Sequence, residues 1–123
     1  MMTRDLDLIT AVAMEVRADL EARYELPLYG YCMEATDLIV AALQAKGFQA
    51  TSCEGWCAYE DEDYGTSRPW EAHTWCEVLL PGSSEPLIVD VTVDQFEGGF
   101  YEELPKILVG PLPSYFTYDE PVL

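Results

Sequence analysis

The chain has 123 residues, half of them hydrophobic, and 23 acidic residues against 6 basic ones give a net charge of −17. Such a length suits a single domain spanning 1–123 with a sizeable core. So negative a field repels phosphate, which argues against direct nucleic-acid or anionic-membrane contact and leaves basic partners favoured.

No apolar run reaches the roughly 18 residues that a membrane span requires. The N-terminus starts acidic and lacks a continuous apolar stretch, so no secretory signal is expected and the cytoplasm is the default location. The four cysteines, Cys32, Cys53, Cys57 and Cys76, are then expected as reduced thiols rather than a disulfide framework.

The first element follows Thr3, a candidate N-cap. Leu6, Ile9, Val12, Ala13, Val16 and Leu20 recur at three- and four-residue steps, the mark of one helical face. Pro27 disfavours helix just before it, so this helix should end near Tyr24. A second helix is expected from Cys32 to Lys46, with Cys32, Ala35, Thr36, Ile39, Val40 and Leu43 as its stripe and Gly47 closing it.

The period then changes. Phe48–Tyr59 reads as a strand, Glu60–Pro69 as an acidic exposed loop, and Trp70–Leu80 as a second strand. Pro81-Gly82-Ser83-Ser84 is a turn into a third strand, Leu87–Val93, so 70–93 forms a hairpin. Gly98-Gly99 breaks the chain, and Ile107–Val109 and Tyr115–Tyr118 are candidate edge strands kept short by Pro111 and Pro113. Helices first and strands after is the order of an α+β domain.

His73 is the sole histidine, so any imidazole base must be this residue, and the absence of asparagine rules out a Cys-His-Asn set. Cys32 stands at a predicted helix start, where unsatisfied N–H groups and the helix dipole favour a thiolate and could receive an oxyanion. Glu34 and the overall negative field oppose that shift. Asp90 lies across the hairpin from the His73 strand, where a carboxylate beside Nδ1–H would fix the tautomer. Asp94 and Glu77 are rival orienters.

Gly30-Tyr31-Cys32 leading into a helix, His73-Thr74-Trp75-Cys76-Glu77-Val78, and Asp90-Val91-Thr92-Val93-Asp94-Gln95-Phe96 together resemble the transglutaminase-like cysteine-protein superfamily, over roughly residues 28 to 96. The Asp90–Phe96 ending is similar to that of its small bacterial and phage members. The resemblance implies a papain/transglutaminase-like core, with N-terminal helices packed on a small antiparallel β-sheet. It implies Cys32 as nucleophile, His73 as general base and Asp90 as orienter, with Trp75 beside the site and Thr92 holding the strand end. Tyr31 and Met33 stand where the larger transglutaminases have Gln and Trp.

The activity implied is hydrolysis or deamidation of a peptide or protein amide, and less readily transamidation, with no cofactor. Tyr31, Tyr64, Trp70 and Trp75 are the aromatic candidates for substrate contact. A zinc site on Cys53, Cys57, His73 and Cys76 has irregular spacing for a structural finger, so no metal is expected. Glu60-Asp61-Glu62-Asp63, just before the His73 strand, is a candidate selector of basic substrates. The contrasting expectation is an acidic binding protein, mimicking nucleic acid or sequestering a basic partner, that carries the trio as a structural remnant. The sequence leaves the oligomeric state open.

Overall fold

A computed structural model describes residues 2–25, 31–58, 70–96 and 104–119. Two helices, α1 (Met2–Arg23) and α2 (Cys32–Ala45), precede five strands: β1 (Gln49–Ala58), β2 (Trp70–Leu79), β3 (Leu87–Asp90), β4 (Leu108–Gly110) and β5 (Phe116–Thr117). The strands form one antiparallel sheet in the order β4-β3-β2-β1-β5. The domain is α+β, with both helices packed on the sheet. Among the described residues no helix is long and apolar enough to cross a membrane.

The apolar stripes do what their spacing implies. Ile9, Val12, Ala13, Val16 and Leu20 of α1 and Ala35, Ile39 and Leu43 of α2 are buried together against Ala50, Cys76, Val78, Leu80, Val89 and Val91. Alternate residues of β2 point the other way. Trp75 joins Cys57, Ile88, Val93 and Phe116 in a second cluster, while Cys76 and Val78 meet the helices. Thr3 is not a cap, because α1 already includes Met2. The end of α2 follows its sequence signal closely. Gly47 takes φ 91°, its N–H reaches the Gln44 carbonyl, and the Phe48 N–H reaches that of Leu43. This is a Schellman closure, and its left-handed residue suits glycine.

The third strand is shorter than its β-branched sequence suggests. Leu87–Val93 was the expected span, but the ladder stops at Asp90, and Val93–Phe96 forms a 3-10 turn. The cause is local. Asp90 Oδ1 accepts the Thr92 N–H at 2.8 Å and the Thr92 hydroxyl at 3.2 Å. An aspartate that bonds the backbone two residues on forms a turn in competition with the sheet. Both candidate edge segments are edge strands, β4 beside β3 and β5 beside β1.

Candidate active site

Helix α2 brings its first residue to β2 through two contacts one turn apart. The Thr36 hydroxyl donates to the Thr74 carbonyl at 3.2 Å, and the Cys32 sulfur is hydrogen-bonded to the Thr74 backbone. Residues i and i+4 share a helical face, so Cys32 and Thr36 both face Thr74. That placement sets the thiol beside His73 on the same cleft, close enough for each group to shift the other's titration.

His73 reaches Asp90 from the neighbouring strand. The pairs Cys76–Val89, Glu77–Ile88 and Val78–Leu87 define the register. Continued by one step, that register puts Asp90 level with Trp75, so His73 meets it along the diagonal. His73 Nε2 lies 2.5 Å from Asp90 Oδ2, with both side chains buried. The expected contact is at Nδ1; the carboxylate sits on Nε2 instead. Asp90 is oriented in turn by Thr92, whose hydroxyl accepts the Gln95 side-chain amide at 3.2 Å.

These contacts fix the direction of each titration. Burial opposes charge on His73, but the Asp90 carboxylate and the Cys32 sulfur together raise the imidazole to about 9. Burial likewise pushes the Cys32 thiol up. The hydrogen bond and positive charge of His73, with the Thr74 backbone, overcome this, so the thiol lies below its ordinary 9.0. The other three cysteines go the opposite way. Burial first, with nearby carboxylates adding to it, pushes Cys53 and Cys76 up to about 12 and raises Cys57 further still. Cys32 is thus the one thiol of the four that its surroundings shift toward the thiolate rather than away from it. Glu34, next to the helix start, has its carboxylate engaged by the Tyr24 hydroxyl at 3.0 Å, with Arg23 3.9 Å away.

A cleft of about 470 Å³ opens over this pair, lined by Cys32, Met33, Glu54, Gly55, Trp56, Ala72, His73, Thr74 and Tyr118. A somewhat larger hollow, about 610 Å³, is lined by Asp5, Lys46, Phe48, Leu79 and Ser83 among others, but by no cysteine or histidine. Size alone therefore does not locate the chemistry.

The aromatic expectations fare differently. Trp75 is fully buried, so it does not offer a surface to substrate. It forms a floor instead, stacked 4.6 Å from Phe116, whose ring also meets His73 edge-on at 5.4 Å. Tyr31 stacks on Tyr24 at 4.1 Å and packs against the helical core rather than lining the cleft. Tyr64, the acidic run Glu60–Asp63 and the side chain of Trp70 lie outside the described residues.

The rival orienters have other work. Glu77 accepts the Trp75 indole N–H at 3.1 Å and the Tyr118 hydroxyl at 2.7 Å. Asp94 is held by Arg17 at 2.7 and 2.9 Å. Among the described residues no group of three or more His, Cys, Asp or Glu is arranged to hold a metal ion.

Several contributors escaped the sequence reading. Gly55 is the register partner of His73. A Cβ there would overlap the Trp75 ring and lie 2.5 Å from the Thr117 carbonyl oxygen. Its signal was present, since a lone glycine inside a strand pattern marks a close approach. Tyr118 and Glu54 carried no comparable signal, because strand pairing between distant segments brings them to the cleft.

No family model, no curated protein and no solved structure matches this chain.

Proposed function

We propose that the protein is a thiol-dependent acyl-transfer enzyme with a papain/transglutaminase-like core. The observation that carries this reading is the buried His73–Asp90 pair, which shares one cleft with Cys32 at the start of α2. The chain order Cys, His, Asp and the helix-then-sheet placement of the three support the family assignment.

In this reading the Cys32 thiolate attacks the carbonyl carbon of a carboxamide. The oxyanion meets the first amides of α2, a helix that begins without a side-chain cap. As the C–N bond breaks, His73 Nδ1–H passes its proton to the departing amine, leaving a thioester on Cys32 and a neutral imidazole. Neutral His73 then takes a proton from water. The hydroxide adds to the thioester carbonyl, the C–S bond breaks, and acid, thiolate and imidazolium result. Asp90 stays ionised and holds the ring throughout. A primary amine in place of water would give transamidation. Hydrolysis or deamidation of a peptide or protein amide is the favoured outcome.

Glu54 on the cleft wall and a net charge of −17 favour a substrate with a cationic group near the reacting amide. The test has two parts. Iodoacetamide should label Cys32 first of the four thiols. Cys32→Ala should then abolish release of ammonia or new amino termini from a protein substrate mixture. Slow, unselective labelling would sink the proposal.

The same acidity supports a second reading, an acidic module that sequesters a basic partner. It requires Cys32→Ala to keep its full biological effect, and neutralised surface carboxylates to lose it.

A further inference from the structure

Beyond β3 the chain leaves the sheet, and the carboxylate of Asp90 is held from that departing segment by Thr92. Within the segment the Gln95 N–H reaches the Thr92 carbonyl at 3.0 Å, and the Gln95 side chain reaches the Thr92 hydroxyl. A turn this short does not fix its own place on the domain. Its anchor comes from α1, more than 70 residues earlier in the chain.

Arg17 lies on the apolar face of α1 and is 3% exposed. Its Nη1 donates to the Val91 carbonyl and to Asp94 Oδ1, both at 2.7 Å, and Nη2 donates to Asp94 Oδ2 at 2.9 Å. Its Nε donates to Glu21 Oε1 at 2.8 Å. The fork on Asp94 is bidentate, a geometry that lysine does not reproduce. Burying a guanidinium is expensive, and an apolar residue would serve helix packing equally well at this position. What the guanidinium adds is a fixed location for Val91, next to Asp90, and for Asp94, next to Gln95.

We propose that Arg17 is a positioning residue, which clamps the turn after β3 to α1 and so keeps the Asp90 carboxylate on His73 Nε2. The proposal rests on reading Cys32, His73 and Asp90 as a thiol site. Arg17 does not line the cleft. Its influence runs by two short routes: through Val91 to Asp90, and through Asp94, Gln95 and Thr92 to Asp90 Oδ1.

The experiment compares the pH dependence of Cys32 alkylation by iodoacetamide, with the labelled cysteine mapped by mass spectrometry, in four full-length proteins. Arg17→Lys keeps the charge but loses the fork. Asp94→Asn keeps the shape but loses the partner charge. Val12→Ala, also buried on α1 but outside the clamp, is the stability control, and urea midpoints are measured for all.

Arg17→Lys and Asp94→Asn are expected to move the thiolate limb up by about one pH unit, which slows alkylation about tenfold at pH values below the parent's limb. Val12→Ala is expected to lose stability with its limb in place. If Arg17→Lys does not fold, Asp94→Asn carries the comparison. A reactive parent whose limb is unmoved in the clamp variants, or moved as much by Val12→Ala, overturns the inference alone. A parent whose Cys32 shows no enhanced reactivity near neutral pH overturns the thiol-site reading and the inference together.

Discussion

Replacing Asp90 by asparagine removes the charge and puts an amide NH2 donor where the carboxylate oxygen accepts from His73 Nε2. The asparagine carbonyl still accepts the Thr92 N–H that now reaches Oδ1, so the turn after β3 keeps its shape. The loss falls on His73. Its rise from 6.5 to about 9 owes more to Asp90 than to Cys32, and at ~1.4 kcal/mol per pH unit it amounts to about 3 kcal/mol of preference for imidazolium. With that preference gone, the imidazole is neutral at pH 7, and the Cys32 thiol loses the positive charge that offsets its burial. A thiol returned to 9.0 is about 1% ionised at pH 7. Alkylation of Cys32 at pH 7 should therefore fall by up to about 100-fold in Asp90→Asn. The gap should close above pH 9, where both proteins are ionised. Iodoacetamide rates from pH 5 to 10, read at the Cys32 peptide, make the comparison. Rates within threefold of each other at pH 7 would refute the coupling from Asp90 through His73 to Cys32.

Three further outcomes are expected. Near pH 7 to 8 the folded thiolate–imidazolium pair binds one proton, as do the unfolded thiol and imidazole, so the parent shows little stability slope from this pair. Cys32→Ala removes the compensation. Its folded state, with His73 still raised by Asp90, should be most favoured below about pH 6.5 and lose on the order of 1–3 kcal/mol as pH climbs toward 9. Urea unfolding across that range should show this slope, and adding His73→Gln should erase it. Gly55→Ala places a methyl group against the Trp75 ring and the Thr117 carbonyl. It should cost about 1–3 kcal/mol as an overpacking change, whereas an unchanged thermal midpoint would contradict the packing beneath His73. Glu54→Gln should lower kcat/KM for cationic substrates by about 2- to 5-fold at low salt, with the difference fading as ionic strength rises; equal losses on neutral substrates would contradict a charge-based preference.

The parts of the site that could be read in the sequence are those that local rules determine. A cysteine at the start of an amphipathic stripe, a single histidine opening a strand, and an aspartate after a Pro-Gly turn each have a position that periodicity alone supplies. Asp90 also ended its own strand earlier than β propensity suggests. There the side-chain bond to Thr92 won over a run of valines, and the Asp-x-Thr spacing was its visible cue. Arg17 was harder to read. It lies between Val16 and Leu20 on an otherwise apolar face, which signals a buried cation, but its partners Val91 and Asp94 are far away in sequence. The nitrogen of His73 that meets Asp90 depends on the diagonal register of β2 and β3, and no spacing rule fixes that. Trp75 was placed beside the site but on the wrong side of it, as floor rather than wall, because strand alternation says which residues share a face and not which face is open.

A chain with one histidine permits a direct test of the central claim, that His73 is held as an imidazolium between Asp90 and the Cys32 sulfur. Its ring nitrogens can be followed alone by NMR as pH is raised. The expected result is a doubly protonated ring at pH 7 that titrates near 9, with the midpoint falling when Cys32 is replaced by alanine and falling further in Asp90→Asn. A ring already neutral at pH 7, with a midpoint near 6.5 that ignores both substitutions, would contradict it.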